Sequence, residues 1–287
     1  MQLEKIITLA NKKVRLKFLA LERSLRQSGC NLPIWVIPYD DNKFELPENS
    51  IWWEDKSLFQ WLEDHKTHRL TRKYLCLTEK NYHFLDTDIV ILKNPEQVLE
   101  PYNGFLASCG HWHSQGQTYT PDSLPLLRAK STLWQRNCFN SGQFACDEVI
   151  YTIETLKEAC IKPENISTCI TFKDTNHEQP GFNLLVNISS VPIYNLSFPP
   201  ALIESTWAAD YPDDYMKYWK KEGSKPYIIH WAGLRVDGSR PIDQLFFNYL
   251  TEKEKEQWFE SLSKPMKQPS LFRKKAYLIK KYFQKII

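Results

Sequence analysis

The sequence predicts an α/β fold: one domain whose mostly parallel central sheet is covered by helices. Two observations carry this prediction. Short apolar runs rich in β-branched residues alternate with segments of helical spacing, which is the order of βαβ units. The chain also has 287 residues, of which 42% are hydrophobic and 14% aromatic, enough to bury one large core.

The predicted elements alternate between strands and helices from the first residues onward. In chain order they are a strand at 6–10, an amphipathic helix at 14–27, a strand at 34–38, a helix at 58–80, one buried strand at 84–92, a short strand at 104–108 and a long polar loop with local helix at 110–132. Ligands of such sheets lie beyond the carboxyl ends of the strands, so we expect the site there.

Two carboxylates interrupt the apolar run 84–92. Residues two apart on a strand point to the same side, so Asp86 and Asp88 are expected to face together. Two like charges at that distance require a cation to compensate them. An oxygen-only pair suits a hard divalent ion such as Mg²⁺ or Mn²⁺, which takes further ligands from water and phosphate. The pair therefore indicates chemistry on a phosphorylated substrate.

The net charge of +3 comes from the end of the chain. Eight basic residues and no acidic residue follow Glu260, so the charge does not indicate a surface for nucleic acid. We divide the chain into a domain at 1–262 and a basic tail at 263–287. On a helix, residues 271–287 separate a basic face from an aromatic and aliphatic face. Such a helix either binds an anionic membrane surface or packs on the domain.

The compartment indicated is the cytoplasm. The seven cysteines form neither a CxxC pair nor a cluster with zinc-ligand spacing, which is typical of reduced thiols. The first residues lack the pattern of a signal peptide, and no segment is long and apolar enough to span a membrane. We expect a cytoplasmic protein, peripheral on the inner face of a membrane if the tail binds lipid.

Five motifs in a fixed order resemble a known family. They are Ile7-Thr8-Leu9-Ala10-Asn11, Phe84-Leu85-Asp86-Thr87-Asp88, Phe139-Asn140-Ser141-Gly142, Glu178-Gln179-Pro180-Gly181-Phe182-Asn183 and His230-Trp231-Ala232-Gly233. Their order and spacing over residues 5–245 resemble the nucleotide-sugar glycosyltransferases of the GT-A (Rossmann-like) fold, and most closely the branch of glycogenin and the lipopolysaccharide galactosyltransferases.

This resemblance implies transfer of a sugar from a nucleoside-diphosphate donor, most often a UDP-sugar, to an acceptor hydroxyl. The branch implies an acceptor that is a cell-surface glycan or glycolipid, in polysaccharide biosynthesis. It also implies that Asp86, Asp88 and His230 hold Mn²⁺ or Mg²⁺ against the diphosphate, and histidine favours Mn²⁺. Taken alone, His230 is more typical of a hydrogen-bonded core histidine.

The resemblance also implies a donor site. Its residues are Thr8, Ala10, Asn11, Arg72, Asp86, Thr87, Asp88, Asn140, Ser141, Gly142, Gly233, Arg235 and Arg240. The family commonly has a lysine where this chain has Arg235 and Arg240, so either arginine can be the one that contacts the diphosphate. Most of these residues also have a structural alternative, such as a turn for Asn11 and an exposed helix arginine for Arg72.

The catalytic candidates implied by the resemblance are Glu178 and Gln179, with Asp174 as a competing carboxylate. Glu178 stands where the family usually has aspartate. A carboxylate or amide at this position orients the sugar or stabilises oxocarbenium-like charge. The named branch implies retention of the anomeric configuration, with the leaving phosphate accepting the proton of the acceptor hydroxyl.

Two other classes of function stay open. Asp86-Thr87-Asp88-Ile89-Val90 also approximates the motif of haloacid-dehalogenase-like phosphatases, although that motif normally ends the first strand and here a βαβ unit precedes it. A catalytically silent sugar-binding protein on the same fold is the other alternative. Release of UDP from a UDP-sugar would distinguish the transferase from both.

Overall fold

The central sheet of the computed structural model has seven strands in the order β3-β2-β1-β4-β7-β6-β8. The structure describes residues 1–108, 115–170, 178–220 and 225–263. The strands are β1 Lys5–Ala10, β2 Ile34–Pro38, β3 Ser50–Trp52, β4 Tyr82–Leu85, β5 Ile89–Ile91, β6 Phe105–Ala107, β7 Gln143–Cys146, β8 Ile193–Asn195 and β9 Ile228–His230.

The α-helices of the first compact unit, Met1–Leu250, surround this sheet. They are α1 Arg15–Gln27, α2 Lys56–Asp64, α3 Pro95–Leu99, α4 Ser123–Lys130, α5 Trp134–Asn137, α6 Ile153–Ile161, α7 Ile166–Cys169, α8 Gln179–Ile188 and α9 Asp243–Phe247. The first strand, helix and second strand form the βαβ unit that the sequence predicts.

Most strand pairs of the sheet are parallel, which confirms the predicted fold class. The strands β3, β2, β1 and β4 pair in parallel, and so do β6 and β8, whereas β7 runs antiparallel to both of its neighbours. The register places Ile6 of β1 between Ile34 and His83 of the adjacent strands. The ends of β1 and β4 consequently point to the same edge.

Alternate residues of β1 pack into two cores, one on each face of the sheet. Ile6 belongs to a core with Phe18 and Leu21 of α1, whereas Ile7 belongs to a core with Phe84 and Phe182. Every residue of β1 is buried. This follows from the period of two in a strand, because successive side chains of a strand covered by helices all reach apolar surroundings.

The predicted continuous strand at 84–92 is wrong. Strand β4 ends at Leu85, and β5 begins at Ile89 in a separate two-stranded antiparallel sheet with β9. The break falls on the two carboxylates, because a charged pair is stabilised at a turn that leaves the apolar core. The apolar residues on either side belong to two strands, and the apolar pattern alone does not show where one ends.

The predicted helix at 58–80 is also two elements. Helix α2 is capped by Asp55, whose carboxylate accepts the Leu58 N–H at 2.6 Å, and it ends at Asp64. A 3₁₀ segment, Arg69–Thr78, follows after a turn in which Lys66 has a φ of +54°. This left-handed residue ends the helix, and the hydrophobic spacing continues across it without showing the break.

The second unit, Thr251–Ile287, is described only up to Ser263. It contains α10, Glu252–Ser263, whose first turn carries Glu252 and Glu254, where negative charge stabilises a helix. The predicted basic helix at 271–287 lies outside the described residues. Within the described ranges, no helix combines the length and apolarity needed to cross a bilayer.

Candidate active site

The turn between β4 and β5 brings three metal-ligating side chains together. Asp86, Asp88 and His230 each offer one ligand atom, and these atoms lie within 4.8 Å of one another. His230 Nε2 lies 3.3 Å from Asp88 Oδ1 and 4.0 Å from Asp86 Oδ2. Both carboxylates are half-buried and His230 is buried.

Pairing of β5 with β9 places His230 in this cluster. Ile89, the residue after Asp88, is the register partner of His230. The backbone N–H of His230 donates to Thr206 O at 2.7 Å, and the N–H of Trp231 donates to Asp88 O at 3.0 Å. Main-chain hydrogen bonds on both sides thus fix the imidazole beside the carboxylates.

Lys73 connects Asp86 to Glu178. Its ammonium lies 2.9 Å from Asp86 Oδ1 and 2.9 Å from Glu178 Oε1, and its side chain is only 3% exposed. Burial alone lowers the pKa of Lys73, but the two carboxylates outweigh this effect and raise its pKa above the ordinary value. The lysine therefore stays charged, and its charge compensates both acids.

The same contacts separate the pKa values of the two acids. Burial raises the pKa of Asp86, Lys73 offsets this in part, and the net pKa lies above the ordinary value. For Glu178, burial likewise raises the pKa, but the charge and hydrogen bond of Lys73 outweigh it and the net pKa is lowered. Glu178 is thus a buried, ionised group.

Asp88 has its own cation in Lys17 of α1, whose ammonium lies 3.2 Å from Asp88 Oδ2. Burial raises the pKa of Asp88, but the hydrogen bond from His230 and the charge of Lys17 hold its pKa well below the ordinary value. Each aspartate therefore uses one oxygen for a lysine and turns the other toward His230.

Gly142 lies where a side chain would collide with this cluster. A Cβ at this position would be 2.3 Å from His230 Cε1 and 2.6 Å from Asp86 Oδ2. The Gly142 carbonyl also accepts the Asp86 N–H at 2.7 Å. The close backbone approach expected of this glycine is thus an approach to the metal-ligating side chains.

The residues around Gly142 are held by the start of α8. The hydroxyl of Ser141 donates to Glu178 Oε1 at 2.9 Å, and its backbone N–H donates to Gln179 Oε1 at 2.9 Å. The Asn140 side chain accepts the Gly142 N–H at 2.8 Å. The segment predicted for sugar contacts and the predicted catalytic pair therefore lie side by side.

These groups line one open cleft of about 1240 Å³. Of the predicted site residues, nine line it: Asp86, Asp88, Asn140, Ser141, Gly142, Glu178, Gln179, His230 and Gly233. Gly233 has a φ of +69°, a conformation that favours glycine, at the turn that follows β9. Asp174 lies outside the described residues.

The other predicted donor-site residues do not line the described cleft. Thr8 and Ala10 are buried in β1, and Thr87 is buried in the turn. The Asn11 amide donates to Asp40 Oδ2 at 2.9 Å beyond the ends of β1 and β2. This placement agrees with the edge at which ligands of α/β sheets bind, although the amide is engaged within the chain.

Arg72 does not line the described cleft and instead contacts residues of β2 and α2 and their surroundings. Its guanidinium donates to Pro38 O at 2.7 Å, pairs with Glu63 at 2.8 Å and lies over the Phe59 ring. Arg72 therefore ties the end of β2 to α2. The basic residue that reaches the cleft is its neighbour Lys73, which the sequence interpretation missed because a lysine in helical spacing usually faces solvent.

Neither predicted diphosphate arginine lines the described part of the cleft. Arg240 pairs with the buried Asp243 at 3.1 Å and donates to the Arg235 carbonyl. Asp243 also accepts the Trp231 indole N–H at 2.8 Å, so this contact braces the loop after β9. The sequence interpretation also missed Trp207 and Asp210, which line the cleft, and Lys17, which pairs with Asp88. No motif of the sequence includes these three residues.

The donor set fits a divalent cation. Two carboxylate oxygens and one imidazole nitrogen within 4.8 Å of one another match the ligands of Mn²⁺ or Mg²⁺ sites that leave positions for substrate oxygens. The missing Cβ of Gly142 is a second observation for this fit, because it leaves the space in which the ligand atoms converge.

No family model matches the sequence, and no curated protein matches it either. Among solved structures, the chain is similar to the apo structure of the bifunctional glycosyltransferase WbbM, with a TM-score of 0.54 and 13% identity over 89% of this chain. It is also similar to the glycosyltransferase GlyE of Streptococcus pneumoniae TIGR4, with a TM-score of 0.48 and 13% identity over 94% of this chain. For apo xyloside xylosyltransferase 1 of mouse, the TM-score is 0.41 at 10% identity, over 80% of this chain.

The fold assignment rests on the first similarity, because TM-scores below 0.5 do not discriminate between folds. It establishes that the chain has a glycosyltransferase fold of the GT-A type. The chain spans 51% of the WbbM chain, 66% of the GlyE chain and 97% of the mouse chain. Fold does not fix activity, and the site must carry the functional argument.

Proposed function

We propose that this chain is a metal-dependent glycosyltransferase that moves a sugar from a nucleoside-diphosphate sugar, a UDP-sugar in our proposal, to an acceptor hydroxyl. The observation that carries the proposal is the convergence of Asp86, Asp88 and His230 in the large cleft of a GT-A-type fold. The glycogenin and lipopolysaccharide galactosyltransferase branch is the one whose motif order the sequence resembles.

Asp86, Asp88 and His230 would hold the metal, for which we propose Mn²⁺, with Mg²⁺ as the alternative. When bound, such an ion supplies Lewis-acid stabilisation of the charge that develops on the leaving diphosphate. Lys73 holds Asp86 by one oxygen and keeps the other available on the cleft side. Lys17 does the same for Asp88.

Glu178 and Gln179 are proposed to face the donor sugar. Both residues line the cleft, and both accept hydrogen bonds from Ser141, the residue before Gly142. These contacts hold Glu178 and Gln179 close to the proposed metal ligands. In the proposed reaction the bond from the anomeric carbon to the diphosphate breaks and a bond to the acceptor oxygen forms. The acceptor proton passes to the leaving diphosphate, and we propose retention of configuration.

The decisive experiment measures which product the chain releases. The protein is incubated with a panel of UDP-sugars and Mn²⁺, and UDP is quantified; p-nitrophenyl phosphate is tested in parallel. We expect UDP release that EDTA abolishes. We expect Asp86→Asn and Asp88→Asn to lose on the order of 100-fold in rate, the scale for one lost transition-state stabiliser. Phosphate release without UDP release would favour the phosphatase, and neither activity would favour a sugar-binding protein.

The acceptor and the location belong to the proposal as well. We propose a cell-surface glycan or glycolipid built at the inner face of a membrane, with residues 271–287 binding anionic lipid. Each basic residue near such a surface contributes about 1 kcal/mol, an attraction that salt weakens. Truncation after Pro269 should abolish sedimentation with anionic vesicles at low salt. A full-length chain that ignores such vesicles would overturn this part.

A further inference from the structure

The cleft extends beyond the residues that we propose to hold the donor and the metal. Its volume of about 1240 Å³ exceeds the roughly 300–1,000 Å³ of common small-molecule pockets. The metal and proposed donor residues of the cleft form one wall, at the turn after β4, just before β7, at the start of α8 and at the end of β9. A second wall consists of Ser197, residues 202–207 and Asp210, and none of the sequence motifs includes it.

We propose that this second wall binds a sugar ring of the acceptor, with Trp207 as the stacking surface. The inference deepens the proposed function and rests on it: it gives the acceptor sugar a binding site on named residues. Trp207 lines the cleft together with Glu204 and Asp210, the two acidic residues of this wall. An indole ring packs on the C–H face of a pyranose, while carboxylates accept hydrogen bonds from its hydroxyls.

The position of Trp207 is fixed relative to the metal ligands. Trp207 forms a parallel β-bridge with His230, and residues paired in a bridge are about 5 Å apart with side chains on the same face. Thr206 accepts the His230 N–H at 2.7 Å, and the Trp207 indole N–H donates to Ala232 O at 3.0 Å. A sugar stacked on Trp207 therefore lies next to the place where the donor diphosphate would bind.

The polar groups of this wall are also held in place. The Ser205 hydroxyl donates to Asp210 Oδ2, and Tyr211 donates from its hydroxyl to Ser205 O at 2.6 Å. Glu204 and Asp210 are exposed, and both line the cleft. A wall arranged before the ligand arrives loses less entropy on binding.

The charge of the cleft favours an uncharged sugar. Among the described residues that line the cleft, Lys73 is the sole lysine or arginine, and two acids already neutralise it. The second wall adds Glu204 and Asp210, so an acceptor group with a phosphate or carboxylate would meet like charges. A neutral hexose can stack on the aromatic ring and donate hydrogen bonds from its hydroxyls to the carboxylates.

Saturation-transfer NMR tests this binding without any turnover. Methyl glucosides, methyl galactosides, lactose and maltose serve as neutral probes, and glucose 6-phosphate serves as the charged probe. We expect at least one neutral probe to bind the full chain and glucose 6-phosphate to bind less. Trp207→Leu should weaken the neutral probe about ten-fold, and Trp207→Phe less, because phenylalanine keeps an aromatic face.

The matched control is Tyr194→Leu, which removes an exposed aromatic side chain on β8 that does not line the cleft. This control should bind the neutral probe like the wild type. Equal binding in Trp207→Leu, or no binding of any neutral probe to the wild type, overturns the acceptor site. Binding of UDP with Mn²⁺ to the wild type is measured separately, so failure of the proposed function is seen independently of failure of this site.

Discussion

Lys17 Nζ lies 3.2 Å from Asp88 Oδ2, while the other oxygen of the same carboxylate, Oδ1, lies 3.3 Å from His230 Nε2. The lysine comes from α1 and does not line the described cleft, whereas Asp88 does. A partner behind a ligand fixes the orientation of that ligand, and the loss of such partners usually lowers metal affinity.

We therefore expect Lys17→Met to weaken Mn²⁺ binding, measured by calorimetry, by about ten-fold, at the low end for outer-sphere partners because the ion pair is partly exposed. Lys17→Arg should recover part of the affinity. Lys13→Met, which removes an exposed lysine one turn earlier, is the control and should bind Mn²⁺ normally. Normal affinity in Lys17→Met would mean that Lys17 does not orient Asp88.

Substitution of Gly142 by alanine should impair metal binding through a collision. The added Cβ would lie 2.3 Å from His230 Cε1 and 2.6 Å from Asp86 Oδ2, so both ligands must shift. We expect a loss in Mn²⁺ affinity of about 100-fold, the upper value for disturbed metal shells, while circular dichroism shows a folded chain. In Gly116→Ala the Cβ meets no atom within 4 Å, so this control tests backbone strain alone at a φ of +83°.

The buried contact between Lys73 and Glu178 should be visible in a double-mutant cycle. Lys73→Met leaves two acids without their cation, and we expect the free energy of unfolding in urea to fall by about 3–5 kcal/mol. Glu178→Gln should lower the free energy of unfolding by less, because Lys73 keeps its ion pair with Asp86. If the two losses simply add in the double variant, the 2.9 Å contact carries no coupling energy.

His83 should make the stability of the fold sensitive to acid. Burial lowers the pKa of His83 to about 3, its Nδ1 has no hydrogen-bond partner among the residues that the structure describes, and its ring stacks on Tyr227. A depressed pKa means that the unfolded chain takes up the proton first, so stability falls as pH drops below the unfolded pKa of about 6.5.

At pH 5 we expect His83 to lower the free energy of unfolding by about 2 kcal/mol relative to pH 7. This loss of stability grows until the pH approaches the pKa of His83 in the folded chain. Urea titrations of wild type and His83→Phe at both pH values measure it. The variant should lose about 2 kcal/mol less over this interval. Parallel pH profiles of the two proteins would show that His83 is protonated without cost in the fold.

The sequence was sufficient to predict the fold class and the convergence of Asp86, Asp88 and His230, and the physical reasons are visible in particular residues. Strand β1 and strand β2 are short apolar runs bounded by polar residues, so local pattern locates them. Asp86 and Asp88 stand out because they interrupt such a run. His230 required the motif order, since a histidine in an apolar strand has no local mark of a ligand.

What the sequence interpretation missed depends on contacts between distant segments. Lys73 reaches the cleft because the segment after α2 is a 3₁₀ helix that begins at Arg69, and the helical pattern does not reveal its rotation. Arg72 was preferred, and the structure gives it Glu63 and Pro38 as partners. Trp207 is placed beside the cleft by a single bridge to His230 of β9. No repeating pattern of the sequence indicates such an isolated bridge.

The small sheet of β5 and β9 joins Asp88 to a strand that the ribosome makes much later. A nascent chain that has emerged only through β7 already contains six neighbouring strands of the central sheet and both aspartates, but it lacks His230. Distant strand pairings of this kind form late in folding. A chain that ends before β9 therefore lacks one of the three side chains that we propose to hold the metal.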